Sequence, residues 1–104
     1  MKPATEILLS AAFALTPEEN WTQNALARTR SGDSTDRSTP YAVSWCVVGA
    51  IGEAQDALGV RAWTDVGRAL TAACGGDYVT FNNTRTHAEL VEAIYKAAEI
   101  SEEA

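Results

Sequence analysis

Cys46 and His87 offer a thiol–imidazole pair in a chain that holds two cysteines and a single histidine. A cysteine activated by a histidine, with an amide to orient the imidazole, is a known nucleophilic arrangement, and Asn82 or Asn83 would supply the amide. The objection is local. A reactive cysteine needs a helix N-terminus or a positive neighbour to stabilise its thiolate. Cys46 stands between Trp45 and Val47 in a run that reads as helix interior, nearly two turns from its start. In such a place a free cysteine behaves as a small buried hydrophobe. His87 falls at the edge of the apolar face set by Leu90 and Val91, where a histidine with a satisfied hydrogen bond is the plainer reading.

The richest polar cluster is Asn82-Asn83-Thr84-Arg85-Thr86-His87. It leads into an expected helix start, where free amides and the dipole favour an anion. Arg85 would add a bidentate donor. Asn82, Arg85, Thr86 and His87 therefore form a candidate site for a small anion or a phosphate. Loop and cap chemistry alone produces the same residues. Arg28, Arg30 and Arg37 make a second, modest cluster, interleaved with Asp33 and Asp36, that reads as a solvated hairpin.

Other chemistries find no footing. There is no C-x-x-C and no H-x-x-x-H, so no self-contained zinc site of the usual type is expected, and no cofactor motif occurs. The formal charge is −6, from 14 acidic and 8 basic residues, which leaves no global footprint for nucleic acid. Glu89, Glu92, Glu99, Glu102 and Glu103 crowd the last helix and tail beside Lys96 alone. A solvated helix face is the plain reading, and an acidic surface offered to a basic partner is the sharper one. The start, Met1 to Glu6, lacks the run of a signal peptide, and Ile7 to Leu15 is too short to span a bilayer. A cytoplasmic protein with reduced thiols and no membrane contact is the expectation.

The elements that must position these residues are mainly helical. A chain of 104 residues with a 46% apolar share is expected to be one domain around one core. Ile7, Leu8, Ala11, Ala12 and Leu15 form one stripe of a first helix over 4–15. Thr16-Pro17-Glu18-Glu19 then signals a short second start, with Thr16 as cap and Pro17 in the first helical position. Residues 22–39 are polar. A strand near 25–29, a turn at Ser31-Gly32-Asp33 and a return at 34–36 would make a short β-hairpin, with an irregular loop as the alternative.

Thr39 and Pro40 predict a central helix running to Leu58, stopped by Gly59. Its middle is apolar on every side, so it should be buried all round, with Trp45, Val48 and Ile51 in the core. Gly49 and Gly52 cost helix stability, and close approach of another helix is the expected reason. A third helix is predicted over 63–73, ended at Gly75-Gly76, and 77–84 reads as a connection with a strand-like tinge. Thr86 caps the last helix, with Glu89 as the reciprocal partner of a capping box and Leu90, Val91, Ile94 and Ala98 as its inner stripe. The fold class predicted is a small, mainly α domain of about four helices around a buried central helix.

Three landmarks now stand out in order: Trp21-Thr22-Gln23-Asn24-Ala25, Trp45-Cys46-Val47-Val48-Gly49-Ala50, and Phe81-Asn82-Asn83 followed by Arg85-Thr86-His87-Ala88-Glu89-Leu90. Together, over about residues 5–98, they resemble the domain-of-unknown-function family 6197, small proteins of bacteria and their phages. That family commonly carries Trp-Asn-Asp, and more residues before Arg-Thr, where this chain has Phe81-Asn82-Asn83 close against Arg85. Any role of that aspartate would be missing at Asn83. The resemblance implies a domain that recurs alone and brings no activity with it.

The leading expectation is thus a small non-enzymatic binding or regulatory protein. A protein partner or self-association is left open, and neither nucleic acid nor membrane is expected. The alternative is a small thiol-dependent enzyme using Cys46 and His87.

Overall fold

A computed structural model describes residues 1–104. Five helices and a small sheet follow in order: α1 (Pro3–Leu15), a 3-10 turn (Glu18–Asn20), β1 (Ala27–Thr29), β2 (Ser34–Thr35), β3 (Ala42–Trp45), α2 (Val47–Leu58), α3 (Trp63–Cys74), α4 (Tyr78–Thr84) and α5 (His87–Glu103). The mainly helical expectation holds, with five helices rather than four. The hairpin is there, but as two strands of a three-stranded antiparallel sheet in the order β2-β1-β3. Ala27 faces Thr35 on one side and Trp45 on the other, and the register slips between Arg28 and Thr29.

The core draws on four helices: Ile7, Leu8 and Leu15 of α1, Val47 and Ile51 of α2, Val66 and Leu70 of α3, and Leu90 and Ile94 of α5 are all fully buried. Both α1, against α2, α3 and α5, and α3, against α1, α4 and α5, pack on three helices, whereas α2 packs chiefly on α1 and α4. This overturns the expectation of a central helix buried all round. The C-terminal end of α2 is wet, with Asp56, Ala57 and Leu58 exposed, and both Trp45 and Val48 are only half-buried.

The largest departure concerns residues 40–46. Thr39 accepts the amide of Ala42 (3.2 Å), so Pro40 sits in a tight turn, a position that suits its fixed φ as well as a first helical turn does. Ala42 to Trp45 then runs as a strand, with Val43 exposed and Ser44 buried in the alternation of a pleat. The helix starts only at Val47. A second departure is α4, where 77–84 was expected to connect. Asp77 caps it through Oδ1, which accepts the amides of Val79 (2.8 Å) and Thr80 (3.4 Å). The Thr16-Pro17 signal yields only the 3-10 turn, with Pro17 outside it. The Thr16 hydroxyl instead bonds back to the carbonyl of Ala12 (2.8 Å) at the end of α1.

Both glycines of α2 have compensating reasons, and neither is a neighbouring helix. A Cβ on Gly49 would collide with the carbonyl oxygen of Leu26, in the strand lead-in that crosses the helix. One on Gly52 would meet the guanidinium of Arg37, whose Cζ lies 2.7 Å from that point. Arg37 spans this surface to pair with Glu53 and Asp56, while its carbonyl accepts Trp45 Nε1 (2.9 Å). The close partners are thus a loop backbone and a side chain.

The remaining helix signals are realised as written. Gly59 (φ 70°) and Gly75 (φ 74°) end α2 and α3 in the left-handed conformation, and Thr86 and Glu89 close a capping box on α5. No helix is long and apolar enough to cross a membrane.

Candidate functional site

The new start of α2 changes the position of Cys46. It is the N-cap residue, with extended backbone, and its Sγ accepts the amide of Gly49 (3.4 Å). The objection that it lies deep inside a helix therefore falls. The preceding strand is what moves it, because β3 must stay extended to pair with β1. Cys46 remains 8% exposed. It lines a cavity of about 470 Å³ together with Leu26, Val48, Val79, Asn24 and Asn83.

Beside the thiol lies a hydrogen-bond hub that sequence reasoning missed. Asn82, on α4, is 1% exposed. Its Oδ1 accepts Trp21 Nε1 (2.9 Å) and the backbone amide of Val47 (3.0 Å), and its Nδ2 donates to Thr22 O (3.2 Å) and Asn83 Oδ1 (3.0 Å). Two bonds accepted and two donated are all that a side-chain amide can make. Asn83 Oδ1 also accepts the amide of Asn24 (2.8 Å), which sits at a positive φ of 65°. Gln23 Nε2 donates to the carbonyls of Asn82 (3.0 Å) and Arg85 (3.2 Å). All three landmark segments thus converge on one buried amide at the first turn of α2. The signal for this was Trp21, a polar-tipped aromatic that needs a partner when half-buried, but its partner is 61 residues away.

His87 faces elsewhere. Its Nε2 lies 2.6 Å from the carbonyl of Leu15, at the end of α1, and its ring packs against Trp21 with centroids 5.6 Å apart. It shares no hydrogen bond with Cys46 and does not line that cavity. Asn82, expected to orient the imidazole, is bonded to Trp21 instead.

The expected anion cluster is divided in the same way. Arg85 lies over the Phe81 ring, 4.9 Å from its centroid, and pairs with Glu89 (3.4 Å). Glu89 Oε1 accepts the amide (3.1 Å) and the hydroxyl (3.0 Å) of Thr86. These contacts, the Thr86 amide foremost, hold the Glu89 carboxyl below the usual carboxylate range. The negative charge at this helix start is therefore internal: Arg85 and Thr86 meet Glu89, while Asn82 and His87 point into other neighbourhoods.

The second arginine cluster also separates. Arg28 is turned inward, donating to Thr22 Oγ1, Gly32 O and Gln23 O at 2.9–3.0 Å. Arg37 crosses α2, and Arg30 is exposed. Both cysteines are free, and burial pushes the half-buried Cys74 thiol above its usual range. No three His, Cys, Asp or Glu side chains come together in a way that could hold a metal ion.

No curated protein and no solved structure matches this chain. A family model does, over residues 1–100, nearly the whole length. The match spans all three segments that meet at Asn82, and the chain belongs to the family of unknown function DUF6197.

Proposed function

We propose that this chain is a small non-enzymatic binding or regulatory protein of a bacterium or its phage. The observation that carries the reading is the commitment of its chemically able residues to the fold. Asn82 uses its full hydrogen-bonding capacity on Trp21, Thr22, Val47 and Asn83, and the single histidine is bonded to Leu15 O. A nucleophile needs a base within hydrogen-bond reach, and none is offered to Cys46.

The thiol-dependent enzyme is kept as the second reading by one observation: Cys46 stands at a helix N-terminus and lines a cavity, a setting that favours thiolates in general. Native-state alkylation separates the two. The binding reading expects Cys46 to react with iodoacetamide at least about tenfold more slowly than an exposed cysteine at neutral pH. Rapid stoichiometric labelling of Cys46, reduced in His87→Gln, would replace it with the enzyme reading.

A further inference from the structure

The cavity beside Cys46 has no charged side chain anywhere on its wall. Its volume of about 470 Å³ lies within the ordinary range of small-molecule pockets. Leu26, Val48 and Val79 give it an aliphatic lining, and Leu26 and Val79, at 47% and 45% exposure, leave that lining open to a ligand. The ionisable groups that flank its α4 wall along the chain are engaged elsewhere. Asp77 caps α4 through the amides of Val79 and Thr80, and Arg85 pairs with Glu89. In the first turn of α2, Asn82 Oδ1 takes the Val47 amide and Cys46 Sγ takes that of Gly49, which leaves little of that helix end for an anion. An ion entering such a cavity loses water and meets no counter-charge, so both signs are rejected.

What the wall offers instead is spare amide. Asn82 is saturated, but Asn83 spends only its Oδ1, on the backbone amide of Asn24 (2.8 Å) and on Asn82 Nδ2 (3.0 Å). Asn83 Nδ2 donates to nothing in the protein, and neither end of the Asn24 side chain has a partner. Both residues line the cavity, Asn83 half-buried and Asn24 exposed at its mouth. A side-chain amide carries two N–H protons and one carbonyl. Unspent N–H donors from both residues and the free carbonyl of Asn24 therefore stand together at the edge of an aliphatic hollow.

The complement of such a surface is another amide on a hydrocarbon body. We propose that this cavity binds a small neutral ligand with an aliphatic body and a carboxamide or lactam head. The body lies along Leu26, Val48 and Val79. The carbonyl of the head accepts from Asn83 Nδ2, and its N–H donates to Asn24 Oδ1. The inference rests on the binding reading above, in which Cys46 is part of a wall and not a nucleophile. Alkylation of Cys46 tests that reading and ligand titration tests this one, so the two fail separately.

Titration of the full chain with hexanamide, hexanoate and hexylammonium, followed by the backbone amide signals in NMR, tests it. The three ligands share one tail and differ in the charge of the head. Hexanamide is expected to saturate below about 10 mM, with the largest shifts at Leu26, Val48, Val79 and Asn83. Each methylene removed should weaken binding about threefold to fourfold, so butanamide should be about tenfold weaker. Hexanoate and hexylammonium should not saturate. Asn24→Gly, which keeps the positive φ of 65°, should weaken hexanamide at least threefold. Asn83→Asp keeps an oxygen for Asn82 and Asn24 and puts one negative charge on the wall. It should weaken hexanamide at least fivefold and let hexylammonium bind in its place. The proposal is overturned if hexanamide fails to saturate, if its shifts centre on other residues, or if either ion binds as tightly. An unchanged preference in a folded Asn83→Asp overturns it equally. The comparison of the three ligands uses the parent chain alone, so it decides the matter even if a variant misfolds.

Discussion

Replacing Gly49 by alanine should destabilise the protein and replacing Gly52 should not, although the two sites are one turn apart on the same helix. Alanine gains about 1 kcal/mol over glycine in a helix interior, and this gain is common to both. At Gly49 the new methyl runs into the carbonyl oxygen of Leu26, with Leu26 C at 3.2 Å and Trp45 Cδ1 at 3.3 Å. That carbonyl is backbone and accepts the amide of Cys46 (3.1 Å), so it cannot withdraw without losing the bond. Overpacking of this kind costs about 1–3 kcal/mol, and the lost hydrogen bond about 1 kcal/mol more. The net loss is about 1–3 kcal/mol, or roughly 5–15 °C in Tm for a domain of this size. At Gly52 the methyl meets only the end of the Arg37 side chain, which can swing aside. The pairs it gives up, with Glu53 and Asp56, are partly exposed and contribute at most about 1 kcal/mol together, which the helix gain offsets. Urea unfolding followed by the fluorescence of the three tryptophans measures both. Equal stabilities for the two variants, or a Gly49→Ala variant more stable than the parent, would refute the crossing of α2 by the Leu26 backbone.

Asn82→Ala should be among the most damaging single changes, at about 2–4 kcal/mol, because Trp21 Nε1, the Val47 amide and Thr22 O lose their partner together. A melt within 0.5 kcal/mol of the parent, by the same urea assay, would deny it the role of hub. The carboxyls of Glu89 and Glu102, held down chiefly by the amides of Thr86 and Lys2, lie below their ordinary value of 4.5. The stability they contribute is therefore present above about pH 4.5 and is lost as pH falls through their folded values. Thermal melts from pH 6 to pH 3 should show this fall, and it should be shallower in Glu89→Gln. Because Glu89 already meets Arg85 and Thr86, phosphate should raise the Tm only by its general exclusion from the protein surface, and by the same amount in Arg85→Ala as in the parent. A phosphate gain that Arg85→Ala removes would restore the anion site.

Local signals carried the helical part of this protein. The stripe of Ile7 to Leu15, the glycine stops at Gly59 and Gly75, and the Thr86–Glu89 box each act within a turn or two, and helix hydrogen bonds reach only four residues back. Those elements could be read without knowing the fold. The stretch 40–46 could not. Pro40 serves a turn as well as a helix start, and only β1, more than a dozen residues earlier, makes Ala42 to Trp45 a strand. That one tertiary choice shortens α2, brings Cys46 to its N-terminus and aims the Val47 amide at Asn82. The candidate site was legible as a list of residues but not as a geometry. Asn82, Arg85, Thr86 and His87 are neighbours in sequence, yet α4 and the start of α5 turn them toward three different environments: the Trp21–Val47 hub for Asn82, Glu89 for Arg85 and Thr86, and the carbonyl of Leu15 for His87. Composition and periodicity determined what kinds of elements form. Pairing between distant segments decided which side chains were left free, because a buried polar group must find its partner wherever the chain brings one.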